Sequence, residues 1–155
     1  MKTFNICSIS DLEVVVKFVN DEGNEIPVPR YDFELEYFVY ANIVRRASAK
    51  KGVFTNCAIM EDNRLHCFFD KPELGRGQLH RRHLLHIPCD EFTDDVRTTI
   101  REGTLPVQFV NNPTLYSDKP IIEDVVVAPM IDFDYGLISE AGDDIITEDG
   151  CLIIF

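Results

Sequence analysis

Three histidines, His80, His83 and His86, recur at every third residue, and Cys89 follows after the same interval. Imidazole and thiolate both ligate zinc, so the series invites a metal reading. The spacing argues against it. On a helix the three rings drift around the surface, and on a strand His83 points away from the other two, with Pro88 stiffening the approach to the thiol. The expectation is no metal site, and a basic, partly exposed strand carrying Arg76, Arg81 and Arg82. Four carboxylates come next, Asp90, Glu91, Asp94 and Asp95. Carboxylates serve acid–base chemistry or hold calcium only where a fold converges them, and no Asp-x-Asp-x-Asp-Gly pattern is present, so a solvated turn is expected. The sequence also lacks a phosphate loop, a nucleophile elbow and a His-Glu-x-x-His helix. Cys57 and Cys67 have apolar flanks that suit packing better than nucleophilic attack. The chain is therefore read as a non-enzyme without a cofactor.

The elements around these residues read as strands. In LEVVVKFV, residues 12–19, Leu12, Val14, Val16 and Phe18 share one parity, as a strand with one buried face requires. NDEGNEIP is a turn in which Gly23 is free to take positive φ. YDFELEYFVY, residues 31–40, alternates Tyr31, Phe33, Leu35, Tyr37 and Val39 against Asp32, Glu34 and Glu36. Residues 41–52 hold Arg45, Arg46, Lys50 and Lys51 and fit a helical turn or a loop equally; a solvated basic loop is the default, and docking to an acidic partner is the functional alternative. Residues 53–60 and 64–69 predict a hairpin closed by Glu61-Asp62-Asn63, and residues 77–87 an extended or helical segment. Residues 96–110 predict a second hairpin turning at Glu102-Gly103-Thr104, although Asp94-Asp95 could equally cap a single helical turn. NNPTLYSDKP, residues 111–120, has linker composition, and IIEDVVVAPM supplies an apolar run whose Pro129 allows an edge strand but not a central one.

Together these imply an all-β chain: a small antiparallel β-sandwich of immunoglobulin-like type over 1–110, a linker and extended segment over 111–135, and a C-terminal β-repeat extension over 136–155. Its 155 residues suffice for a real core, and an apolar share of 45% excludes a mainly disordered chain. The net charge of -12 argues against nucleic acid as a partner, since phosphate binding draws on Lys and Arg. Charge is also unevenly placed, with ten acids and one base, Lys119, from residue 111 onward. Five cysteines without a C-x-x-C spacing suggest reduced, buried thiols. With no signal-peptide run and no apolar stretch approaching a membrane span, a soluble protein without membrane association is expected.

The closing GLISEAGDDIITEDGCLIIF repeats with a period of eight: Leu137, Ile145 and Ile153 align, as do Ile138, Ile146 and Ile154, Ser139 with Thr147, Glu140 with Glu148, and Gly142 with Gly150. Such short repeats cannot bury an aliphatic pair alone and need a neighbouring repeat or another chain. Leu137, Ile138, Ile145, Ile146, Leu152, Ile153, Ile154 and Phe155 are the expected partner-binding residues, pairing with a sheet edge. Arg45, Arg46, Arg76, Arg81 and Arg82 are the expected docking residues for an anionic or acidic partner, a neighbouring copy's tail included.

The order of features resembles a known group. FVNDEG running into the GNEIP turn, the YDFELEY strand, the Asn56-Cys57 pair and Gly77 to Leu79 are similar to the N-terminal domain of the baseplate upper protein family of tailed phages. That family accompanies fibre and receptor-binding proteins, including those of crass-like phages of gut Bacteroidetes. LISEAGDDIITEDG resembles repeats near the ends of phage neck, fibre and tail proteins. The likeness spans residues 4–110 diffusely and 137–155 more sharply. It implies a virion structural protein, assembled in the host bacterial cytoplasm, that pairs as a dimer or trimer and meets other virion proteins. Without a long shaft or receptor-binding head, the expected role is an adaptor, fibre base or capsid decoration. Two other readings compete: a glycan- or ligand-binding sandwich using Tyr31, Tyr37 and Tyr40, and an acidic inhibitor that mimics nucleic acid.

Overall fold

The computed structural model describes residues 4–111 and 121–129. Ten strands and no helix make up these residues: β1 (Phe4–Cys7), β2 (Leu12–Val19), β3 (Asp32–Phe38), β4 (Val44–Lys50), β5 (Val53–Thr55), β6 (Cys57–Ile59), β7 (Leu65–Phe69), β8 (Gly77–Pro88), β9 (Val96–Val110) and β10 (Ile121–Val127). They form a six-stranded sheet, ordered β1-β9-β8-β3-β4-β5, and a four-stranded sheet, ordered β10-β2-β7-β6. The sheets face each other in a sandwich-like, all-β arrangement. Period-two alternation sends Val14, Val16 and Phe18 inward from β2, and Phe33, Leu35 and Tyr37 inward from β3, into one core. Phe18 meets Phe33 at 5.3 Å between ring centroids, and Tyr37 meets Phe69 edge-on at 5.8 Å.

Residues 41–52, expected as a helical turn or a loop, are a strand over 44–50 between two turns. They supply β4 and a two-residue hairpin turn into β5, with positive φ at Lys51 (50°) and Gly52 (81°), the pairing that matches strand twist. The strand expected over 53–60 is broken in the middle. Val53–Thr55 pairs with β4 in the larger sheet and Cys57–Ile59 pairs with β7 in the smaller one. Asn56 makes the corner: it takes φ of 61°, a region Asn tolerates, and its amide donates to the Arg46 carbonyl at 2.9 Å. The expected hairpin through Glu61-Asp62-Asn63 survives as β6–β7.

No turn occurs at Glu102-Gly103-Thr104. β9 runs unbroken from Val96 to Val110 beside β8. Gly103 lies opposite Arg81 as an ordinary strand residue, and a Cβ there would sit 3.4 Å from the Arg81 Nε. The irregularity falls later, where the register shifts between Gln78 and His80. Pro106, lacking an N–H, lies in that stretch, and the Gln78 side-chain amide donates to the Leu105 carbonyl at 3.2 Å.

The extended segment after residue 120 packs back on the body, because β10 pairs with β2 over its whole length. The pairing is not purely antiparallel, since β1 lies parallel to β9 and β10 parallel to β2. β10 is an edge strand, as Pro129 requires. The repeat tail, with Leu137, Ile138, Ile145, Ile146, Leu152, Ile153, Ile154 and Phe155, lies outside the described residues.

A continuous β9 leaves Ile100 on the outer face at 59% exposure, whereas Phe33 is fully enclosed. Phe33→Ala should therefore destabilise by about 3–5 kcal/mol, and Ile100→Ala by no more than about 0.5 kcal/mol. Urea unfolding of both variants checks the pair, and comparable losses would contradict the assigned strand.

Candidate functional site

The densest polar chemistry lies between the two sheets. On β10 the inward parity reads Ile122, Asp124, Val126, so a carboxylate takes a core position. Asp124 is 1% exposed. A lone buried carboxylate is very unfavourable, and this one is met by donors from the opposite sheet. Tyr37 on β3 donates its hydroxyl to Asp124 Oδ2 at 2.8 Å. His83 Nε2 on β8 approaches the same oxygen at 2.7 Å, and Arg81 donates to Oδ1 at 3.0 Å. Burial first, and the neighbouring Asp124 charge second, push the Tyr37 hydroxyl well above its usual range, which keeps it a donor. Cross-strand register makes the convergence possible, because Tyr37 faces Arg81 and Leu35 faces His83 across β3 and β8. Acceptor and donors come from opposite sheets, so the cluster clamps the two sheets together.

A second array covers the outer face of the larger sheet. Glu36 is 4% exposed although it points outward, because Arg46 from β4 and Arg82 from β8 close over it. Arg46 Nε donates to Glu36 Oε2 at 2.8 Å and Arg82 donates to Oε1 at 2.8 Å. Arg82 also bonds Glu102 on β9 at 2.7 Å, and its guanidinium lies 5.0 Å from the Phe38 ring centroid. Glu34 joins Arg46 at 3.3 Å and His86 at 2.9 Å. Charges thus alternate from β9 to β4 across four neighbouring strands.

On the outer face of the smaller sheet, His66 of β7 lies between two carboxylates, with Nδ1 2.7 Å from Glu13 and Nε2 2.9 Å from Asp62. Burial alone would depress its pKa, but the hydrogen bonds to Glu13 and Asp62 outweigh that and raise it. The Asp62 carboxyl is lowered in turn, chiefly by its hydrogen bond to His66.

The structure disperses the residues that the sequence singled out. His83 points inward to Asp124, His80 stacks on Phe38 at 5.5 Å, and His86 sits between Thr98 and Glu34 on the outer face. Cys89 lies 3.7 Å from a Glu91 carboxylate oxygen, and Asp94 accepts the Val96 N–H at 3.2 Å within the β8–β9 turn. Of the expected docking arginines, Arg46, Arg81 and Arg82 are engaged by carboxylates of this same chain. Among the described residues Arg45 and Arg76 make no ion pair; Arg45 donates to the Val44 carbonyl, and the backbone of Arg76 accepts the Tyr40 hydroxyl. Glycan stacking on Tyr31 and Tyr37 finds both rings buried, with Tyr40 alone of the three exposed. Sequence reasoning missed Asp124 as a site residue. Its signal was an acid at the inward parity of an apolar strand, matched by His83 pointing away from His80 and His86.

Comparison with family models, with curated proteins and with solved structures finds no match to this chain.

Asp124→Ala strands Arg81 and His83 near the core and should destabilise by about 3 kcal/mol, with Tyr37→Phe losing about 1 kcal/mol, both read by urea unfolding. The His66 contribution depends on pH. Its raised folded pKa means that stabilisation is complete below the ordinary 6.5 and is lost as pH rises through the raised value. The stability gap between the native protein and His66→Gln should therefore narrow on titration from about pH 5.5 to about pH 9. A gap that widens over that range would refute the charged imidazole.

Proposed function

We propose that this protein is a structural component of a tailed-phage virion, working without catalysis as an adaptor, fibre base or decoration that assembles through its C-terminal repeat. The phage assignment rests on the sequence resemblance set out above. In this reading the two-sheet body is an immunoglobulin-like module that carries the assembly element, and the partners are further copies of the chain and other virion proteins.

The observation that carries the assembly reading is the β4–β5 edge. β5 ends the larger sheet with only three residues, so among the described residues one side of its backbone has no strand neighbour in that sheet. Val53 is 66% exposed, and Phe54 beside it is also exposed. Arg45, Lys50 and Lys51 lie on β4 and the turn at this edge, and residues 44–55 contain no acid. The repeat tail offers the complement: aliphatic pairs able to add as a strand, separated by turns bearing Glu140, Asp143, Asp144, Glu148 and Asp149. Edge, apolar surface and charge thus match the tail of a second copy.

Light scattering on the size-excluded full-length protein should report a dimer or trimer, and a chain ending at residue 130 should report a monomer. Ile146→Asp with Ile154→Asp in the full chain should reproduce the monomer, and added salt should weaken the oligomer. A monomer at all lengths would end the assembly reading.

A further inference from the structure

Cys57 on β6 and Cys67 on β7 stand directly opposite each other in the register of the smaller sheet. The hydrogen bonds on either side define the kind of pair they form. Phe68 N donates to Asn56 O at 2.8 Å, and Met60 N donates to Arg64 O at 3.0 Å. Residues 56/68 and 60/64 are therefore hydrogen-bonded pairs, and by alternation so is 58/66. The pair 57/67 falls between them as a non-hydrogen-bonded pair, the position at which antiparallel Cα atoms approach to about 4.5 Å and side chains lie closest. A disulfide requires Cα atoms about 4.4–6.8 Å apart, a range that includes the spacing typical of such a pair.

We propose that Cys57 and Cys67 form a dithiol modification site that closes a disulfide across β6 and β7 by exchange with a small-molecule disulfide of the glutathione class. The inference is independent of the virion reading. The two thiols differ in the way such exchange needs. Cys57 is partly exposed on an edge strand, with its Sγ 3.5 Å from the Ser48 carbonyl oxygen, whereas Cys67 is fully enclosed between β2 and β6. The hydrogen bond from Cys67 holds the Cys57 thiol below its ordinary range, while the same contact and burial push Cys67 well above it. Cys57 is thus the attacking group and Cys67 the resolving one.

The Cys57 thiolate attacks one sulfur of oxidised glutathione; the S–S bond breaks and its electron pair leaves with the first glutathione, which takes up a proton. Cys67 then loses its proton, attacks the Cys57 sulfur of the mixed disulfide and expels the second glutathione as a thiolate. The protein dithiol gives up two electrons, and one glutathione disulfide becomes two thiols. β6, a three-residue edge strand, becomes covalently tied to the central β7.

The full-length protein is incubated with oxidised glutathione, alkylated and digested with trypsin, which cuts between the two cysteines after Arg64. The expected product has lost two hydrogen masses, links residues 52–64 to 65–76, retains no glutathione and is reopened by dithiothreitol under native conditions. Cys67→Ser should instead hold a stable glutathione adduct on Cys57, and Cys57→Ser should leave Cys67 unmodified. A lasting glutathione adduct on Cys57 of the native protein, a linkage through Cys7, Cys89 or Cys151 in place of this pair, or no reaction would overturn the proposal.

Discussion

A carboxylate in the middle of a hydrophobic sandwich is tolerable only if its charge is answered on the spot, and Asp124 imposes that condition on three strands at once. It sits on β10, the edge of the smaller sheet, and all three of its partners come from the larger sheet. Much of the remaining contact between the sheets is apolar, and dispersion and apolar burial have little directional preference. The three hydrogen bonds do have direction. They fix where β10 lies relative to β3 and β8, and through the β10–β2 register they place the whole smaller sheet. Such a clamp adds less net stability than its short distances suggest, since burying charges offsets most of the attraction. Its physical effect is on specificity of alignment: a slip of one residue in β10 turns Asp124 outward and leaves Arg81 and His83 without their acceptor.

The same economy governs the outer surface. Glu34, Glu36 and Glu102 alternate with Arg46, Arg82 and His86 over four strands, so a region rich in cationic side chains presents little free positive charge. Arg45, Lys50 and Lys51 make no ion pair among the described residues and lie on β4 and the turn into β5. There the strand edge and the exposed Val53 and Phe54 also lie. Open backbone, exposed apolar side chains and basic side chains thus coincide at this edge. The Cys57–Cys67 pair lies just beyond the Asn56 corner from that edge, on the strand that continues it into the other sheet.

Much of the fold was legible because strand alternation is a local property. The inward faces of β2 and β3 follow from side-chain parity alone, and the Glu61-Asp62-Asn63 connection and the edge position of β10 follow from turn chemistry and Pro129. The errors share one cause. Gly103 in the middle of β9 imitates a turn, and VFTNCAIM imitates one strand although Asn56 divides it between two sheets. In each case the deciding interaction is a partner strand distant in the sequence, which a local pattern does not contain. The candidate site was less legible still. Arg46, Arg81 and Arg82 looked like free cations because nothing near them in sequence neutralises them; Glu36, Asp124 and Glu102 do so from other strands.

What the sequence determined by itself is the all-β character, the parity of its cleanest strands, the exclusion of familiar catalytic motifs, and the separation of a nearly balanced body from an acidic, repetitive tail. Each of these depends on residues within a few positions of one another. Tertiary structure alone decided which charges cancel, that Asp124 joins two sheets, and that Cys57 faces Cys67. Those facts depend on register between strands, and register is set when non-local pairs form and the whole core closes around one alignment.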